Sequence, residues 1–466
     1  MDTTLTAGSA PAALCRLDAA ALKAAYKAGS LSPVEVVKAC LARAEEINQH
    51  LNAFTFIDHE GALAAAKASE ARWREGAALS EVDGIPTSLK DIVWVEGWRV
   101  RYGSAATSNT PYAEDAPSVR LLRANGAVFI GQTTTPEFGW KAVTDSPAFG
   151  ITRNPHDLSK TAGGSSGGAA AAAASGAGVF HLGTDGGGSI RIPAAFCGIT
   201  GLKPSFGRVP AYPASAFGTV AHIGPMTRSA ADAMAMLKAM SGRDLKDWSQ
   251  GAGQFPALAM VPVALKGLKI GYWSKPPAGA LDAEIKRLLD ARITELADAG
   301  AEITPFELPG SDLLELFHDH WFTGAATRLA AVPPELRGMI DPGFLEVARE
   351  GAAKDAVRLI QAQVRRAEFG AAMDAALAAY DFILSPGTSI PAFEAGAEVP
   401  AGSGLKRWTE WASFSFPINL SQQPAAVIPC GTTQAGLPVA LQIIGARGED
   451  AKVLSLAAAL EPLFTA

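Results

Sequence analysis

The stretch "GTDGGGSIRIPA", Gly183 to Ala194, decides the reading of this chain. Three glycines stand directly before a serine, and Ile-Arg-Ile-Pro follows it. Residues without a Cβ leave their backbone N–H groups unobstructed, so a ligand oxygen can approach several of them at once. Two chemistries use that property: an oxyanion hole at Ser189, or a phosphate cradle with Ser189 as a bystander. A flexible turn needs neither.

The neighbouring sequence separates these readings. A second cluster, "AGGSSGGAAAAAASGAG", places Ser165 and Ser166 between glycine pairs and contains G-x-S-x-G from Gly163 to Gly167, the pattern of a nucleophile elbow. An α/β-hydrolase then needs a later acid and a histidine. The histidines that follow are His181, His222, His318 and His320, and none sits in a distinctive setting. "HDHW" at 318–321 reads as filler in a helical segment, and residues two apart do not share a helix face, which argues against a metal there. No G-x-x-x-x-G-K-[ST] occurs, so the phosphate reading fails on detail.

Two serine clusters and a lysine in an apolar strand suggest a different chemistry, a serine activated without histidine. A hydroxyl is a poor nucleophile until a base takes its proton, and a lysine can be that base if burial keeps it neutral. Lys90 is the one basic residue in "GIPTSLKDIVWV", set among Ile85, Leu89, Ile92 and Val93. The competing expectation is an edge-strand lysine with its amine in water.

Outward from these clusters, helical and strand patterns alternate, which predicts α/β layers. "LSPVEVVKACLARAEEIN" opens with Ser32 as N-cap, Pro33 at N1 and Glu35 at N3, a capping box. "EGALAAAKASEARWREG" reads as a second helix and "SVRLLRANGA" as a third, followed by a strand, "VFIGQT". Residues 241–375 show helical periodicity, as in "DAEIKRLLDARITELADAG". The chain then returns to strand-like runs, "YDFILSPGT", "PAAVIPCG" and "LPVALQIIG", and a last helix. There is no internal repeat.

Composition sets outer bounds. The 466 residues are 48% hydrophobic and 18% charged, enough apolar material for a large core. A net charge of −6 with no basic block argues against a nucleic-acid partner. The four cysteines (Cys15, Cys40, Cys197, Cys430) form no C-x-x-C pair, which argues against zinc or a disulfide framework. "MDTTLTAGSAPAALCRL" lacks the basic and apolar regions of an export signal, and the Gly/Ala-rich run at 167–183 is no membrane span. A cytoplasmic protein is expected.

Taken together, "GIPTSLKD", "AGGSSGG", "GTDGGGSIRIPAAFCGITGLKPSFGRV", "IGPMTRS", "NLSQQPAAVIPCG" and "LPVALQIIG" resemble the amidase-signature family in order and spacing, across most of the chain. The resemblance implies one α/β domain, a mixed sheet of about ten or eleven strands between helices. Its parts would be N-terminal helices (1–75), a catalytic core (76–240), a variable helical cover over the site (241–375) and a return to the core sheet (376–466). It implies a Ser–cisSer–Lys triad: Ser189 as nucleophile, Ser165 as relay across a cis Gly164–Ser165 bond, and Lys90 as base. The oxyanion hole would be the amides of Gly186, Gly187, Gly188 and Ser189, such donors being worth ~3–4 kcal/mol each. Asp185 and Arg191 would hold the loop, and Ser166 would support the relay. One departure stands out, because the family commonly carries a side chain where this chain has Gly186.

The resemblance further implies hydrolysis of a small-molecule amide or carbamate through an acyl-enzyme, with no metal or organic cofactor, by a monomer or homodimer. Trp94, Trp98, Phe138, Trp140, Trp321, Phe322, Trp411 and Phe414 suggest a hydrophobic substrate, with most of them expected to be core. A competing function is that of the glutamine-hydrolysing A subunit of a tRNA-dependent amidotransferase. Such proteins carry an acid ahead of the asparagine of the N-L motif, and the position counted back from Asn419 is Ala412. A third, a non-catalytic binding protein, would show a lost triad member, and none is lost.

Overall fold

The computed structural model describes residues 13–251, 253 and 255–464. The reading of the N-terminus as free of an export signal rests mainly on residues outside that range. The strands in chain order are β1 (Phe54–Ile57), β2 (Pro86–Lys90), β3 (Val128–Thr133), β4 (Asp145–Ser146), β5 (Gly150–Ile151), β6 (Phe180–Asp185) and β7 (Thr200–Lys203). β8 (His222–Thr227), β9 (Lys269–Tyr272), β10 (Glu302–Pro305), β11 (Phe382–Pro386), β12 (Ala425–Thr432) and β13 (Pro438–Ile444) follow. Eleven of them form one mixed sheet in the order β1-β3-β2-β6-β8-β7-β12-β13-β11-β9-β10, and β4 pairs with β5 apart from it. Helices cover the sheet, as the alternating pattern predicts.

Local chemistry explains the elements. The helix Pro33–Leu51 starts where Ser32 Oγ accepts from the Val34 amide (3.0 Å) and Glu35 reaches back to the Ser32 amide (2.9 Å). It ends at Asn52, in the left-handed region at φ 51°. The helix Gly167–Ala174 is buried along nearly its whole length, which its Gly and Ala side chains allow by letting the sheet come close. β2 is buried at every position although it reads Pro-Thr-Ser-Leu-Lys. Its polar groups find partners inside: Thr87 Oγ1 donates to the Ile85 carbonyl (3.0 Å), and Ser88 Oγ pairs with His181 Nδ1 (2.7 Å).

β2 lies between β3 and β6 and runs parallel to both. Lys90, its last residue, is therefore not on an edge strand. Leu89 pairs with Leu182, so Lys90 and the end of β6 emerge together at the carboxyl end of the parallel strands. Residues 241–375, expected as a helical cover, are not helical alone. They contribute β9 and β10 to the sheet, with the helix Ala283–Asp298 between them. The periodicity showed the helix and hid the two four-residue strands flanking it.

Candidate active site

Three segments meet at this end of the sheet: the end of β2, the turn entering the helix Gly167–Ala174, and the loop from β6 into the helix Arg191–Cys197. The Lys90 side chain is fully buried. Its Nζ lies 2.7 Å from Ser165 Oγ, 2.9 Å from Ser166 Oγ and 3.0 Å from Thr184 Oγ1. Burial holds the amine well below the usual lysine range, with Asp185 pulling weakly the other way. Neutral, such an amine accepts a proton from a neighbouring hydroxyl. Thr184 carries no signal in the sequence, because its role follows only from the pairing of β2 with β6.

The Gly164–Ser165 peptide is cis. Gly164 packs so closely on Val143 that a Cβ there would come within 2.6 Å of its backbone. Ser166 fixes the next turn: its amide donates to the Ser189 carbonyl (3.1 Å), and its hydroxyl donates to the Thr184 carbonyl (3.2 Å). Ser165 and Ser189 open into one cavity of about 390 Å³. Among the described residues their hydroxyls make no hydrogen bond to each other.

The glycine run is held from behind. Asp185 Oδ1 accepts from the Gly188 amide (2.8 Å), Arg191 Nη2 (3.0 Å) and Asn419 Nδ2 (2.8 Å), while Oδ2 accepts from Arg191 Nε (3.0 Å). Arg191 donates onward to Gln442 Oε1 (2.8 Å) and Asn419 Oδ1 (2.6 Å). Burial alone would raise the Asp185 carboxyl, yet Arg191 and Asn419 hold it below the usual carboxylate range. The Gly188 amide, expected in the oxyanion hole, is thus turned to Asp185. The Gly186, Gly187 and Ser189 amides donate to no group among the described residues.

The front of the run explains Gly186. A Cβ there would come 2.7 Å from Trp321 Cζ3, and one on Gly187 would come 2.7 Å from Phe317 and 2.8 Å from Trp408. These rings pack as a group, Phe317 stacked on Trp321 at 5.3 Å and edge-on to Trp408 at 5.9 Å. An indole fills the space that a side chain at Gly186 would take.

Of the eight aromatic residues singled out in the sequence, Phe138 and Trp321 line the cavity. The others pack elsewhere; Trp411, for instance, stacks on Phe196 at 5.9 Å. His222 also lines the cavity, which its sequence setting did not signal. Its Nδ1 donates to the Val220 carbonyl (2.8 Å), and it bonds neither serine. His318 reaches Thr409 (2.9 Å), and burial pushes both His318 and His320 down to about 4. No group of three His, Cys, Asp or Glu side chains among the described residues could hold a metal ion, and no helix there is long and apolar enough to cross a membrane.

A mixed sheet of this order, with serines at two glycine turns and a buried lysine at its carboxyl end, defines an α/β protein whose cavity brings these groups together. The Amidase family profile matches residues 35–454, and the chain belongs to that family. It is 34% identical to the A subunit of the glutamyl-tRNA(Gln) amidotransferase of Myxococcus xanthus, over 94% of this chain and 96% of that one. It is 31% identical to the acylamidase of Rhodococcus erythropolis, over 96% and 95%. A bacterial aryl acylamidase of the amidase-signature family superposes with a TM-score of 0.87 at 27% identity, over 96% of each chain.

Proposed function

We propose that this amidase hydrolyses linear amides with hydrophobic acyl or aryl groups, its reach extending to carbamates and esters. Ser189 is the nucleophile, Ser165 the relay and Lys90 the base. As Ser189 Oγ bonds to the carbonyl carbon, its proton passes to Ser165, whose own proton passes to neutral Lys90. The oxyanion meets the amides of Gly186, Gly187 and Ser189. The C–N bond then breaks, and the proton returns through Ser165 to the departing amine. Water repeats the attack on the acyl-enzyme, releasing the acid and restoring Ser189.

The observation that carries this reading is a buried amine 2.7 Å from the Ser165 hydroxyl, beside a cavity that Ser189 shares. The test is Ser189→Ala, which should abolish turnover without loss of fold, together with mass spectrometry of a fluorophosphonate adduct on Ser189. An adduct on Ser165, with Ser189→Ala still active, would exchange the roles of the two serines.

Glutamine hydrolysis in a complex with other chains is the second reading, favoured by the relative from Myxococcus xanthus. Against it, Ala412 is buried among Trp408, Trp411 and Phe414, and the cavity is walled largely by apolar groups. Turnover of anilides, aliphatic amides, carbamates, esters and glutamine, compared side by side, decides between them. No turnover of any would favour a binding protein.

A further inference from the structure

The cavity that Ser165 and Ser189 share is lined by four acidic or basic side chains besides His222, and three of them have polar partners. Asp185 is tied to Arg191, and Lys246 pairs with Glu114. Asp247 accepts from the Ala211 amide (2.8 Å) and from Ser249. Arg328, on the helix Leu313–Ala330, is different. Among the described residues no carboxylate lies within ion-pair distance of it, its Nε is buried without a partner, and its guanidinium donates no hydrogen bond.

What does touch it is aromatic. The Arg328 guanidinium carbon sits 4.3 Å from the Tyr102 ring centroid and 4.7 Å from that of Phe138. The two rings are tied together, since the Phe138 amide donates to the Tyr102 carbonyl (2.7 Å) and Tyr102 Oη accepts from Trp94 Nε1 (2.6 Å). Both residues have left-handed backbones, φ 57° at Tyr102 and φ 53° at Phe138. Bulky side chains rarely adopt that region, and where they do the surroundings hold them for a purpose. Here the strained pair presents two ring faces to one cation. The rings pack against the guanidinium, and its five donors have no protein partner among the described residues.

We propose that Arg328 binds a carboxylate carried by the amide substrate away from the scissile bond. Rings hold the apolar body of the substrate, and the planar fork takes its anionic end through paired hydrogen bonds. A guanidinium partly withdrawn from water without a counter-ion is costly, and a substrate carboxylate removes that cost on binding. This rests on the triad reading above and narrows its substrate class to anionic amides.

Two matched pairs of substrates test it in either orientation. Glutaryl and hexanoyl 4-nitroanilide carry and lack a carboxylate on the acyl side; N-butyryl-3-aminobenzoate and N-butyryl-3-toluidine do so on the amine side. In one pair, the wild type should favour the anionic member by about tenfold or more in kcat/KM. Arg328→Met should erase that ratio, mainly through KM of the anionic member, and Arg328→Lys should recover part of it. A ratio near unity in both pairs, or one that survives Arg328→Met, overturns the proposal. Fluorophosphonate labelling of Ser189 separates the two ways of failing. Labelled enzyme without anionic preference removes the role of Arg328 alone, whereas neither labelling nor turnover removes the hydrolytic reading with it.

Discussion

Among the described residues the Lys90 amine has hydroxyls alone as hydrogen-bond partners, and that fixes what its substitution should do. Lys90→Arg places a guanidinium that does not deprotonate in proteins at the end of β2, so kcat should fall by about three orders of magnitude or more. A near-normal Arg variant removes Lys90 from the chemistry. The base form is the neutral one, and burial lowers the pKa, so kcat should rise with pH through a limb below the ordinary ~10.4 of lysine. That limb should vanish in the residual activity of Lys90→Met. Asp185 gives the opposite kind of prediction. Asp185→Asn leaves Arg191 charged, buried and without a counter-charge, which should cost about 3–5 kcal/mol in a denaturant melt. A change under ~1 kcal/mol would mean that Asn419 and Gln442 suffice to hold the guanidinium.

At the scale of elements, the glycine run is pinned between a carboxylate behind and a ring cluster in front. Gly186→Ala drives a methyl into the Trp321 indole, and overpacking of this kind costs ~1–3 kcal/mol. It should lower both melting temperature and kcat, and Trp321→Leu in the same chain should restore much of each. Strict additivity of the two substitutions would show that ring and loop are not in contact in solution. The sequence made the loop, the second serine cluster and Lys90 legible because each depends on residues adjacent in the chain. It also showed the long helices, whose apolar spacing is local. It did not show Thr184, which meets Lys90 through strand register, nor Tyr102 and Arg328, which meet across different elements. It assigns the Gly188 amide to the oxyanion hole because chain order cannot reveal that Asp185 reaches three residues ahead to claim it. β9 and β10 were missed for a similar reason: four-residue strands have too few alternations to rise above the helix between them.

Across the whole molecule, two fully buried lysines, Lys90 and Lys203, are both held well below the ordinary range by burial. Between the folded pKa and ~10.4 the unfolded chain binds the proton that the folded chain has lost, so stability should rise with pH through that window, by up to ~1.4 kcal/mol per pH unit for each lysine. Lys90→Met should flatten the slope of unfolding free energy against pH by one lysine's share. An unchanged slope would mean that Lys90 stays protonated when folded. The sheet itself carries a last implication, for synthesis. β7, which ends at Lys203, has the late strand β12 as one of its two neighbours, and Gln442 of β13 is a partner of Arg191. On the ribosome, the glycine loop therefore emerges more than two hundred residues before Asn419 and Gln442, which complete its seat. Until then the nascent chain shows an open β7 edge, a place for a chaperone or for misjoining with another chain. The enzyme should gain activity abruptly, only once its final strands have left the exit tunnel.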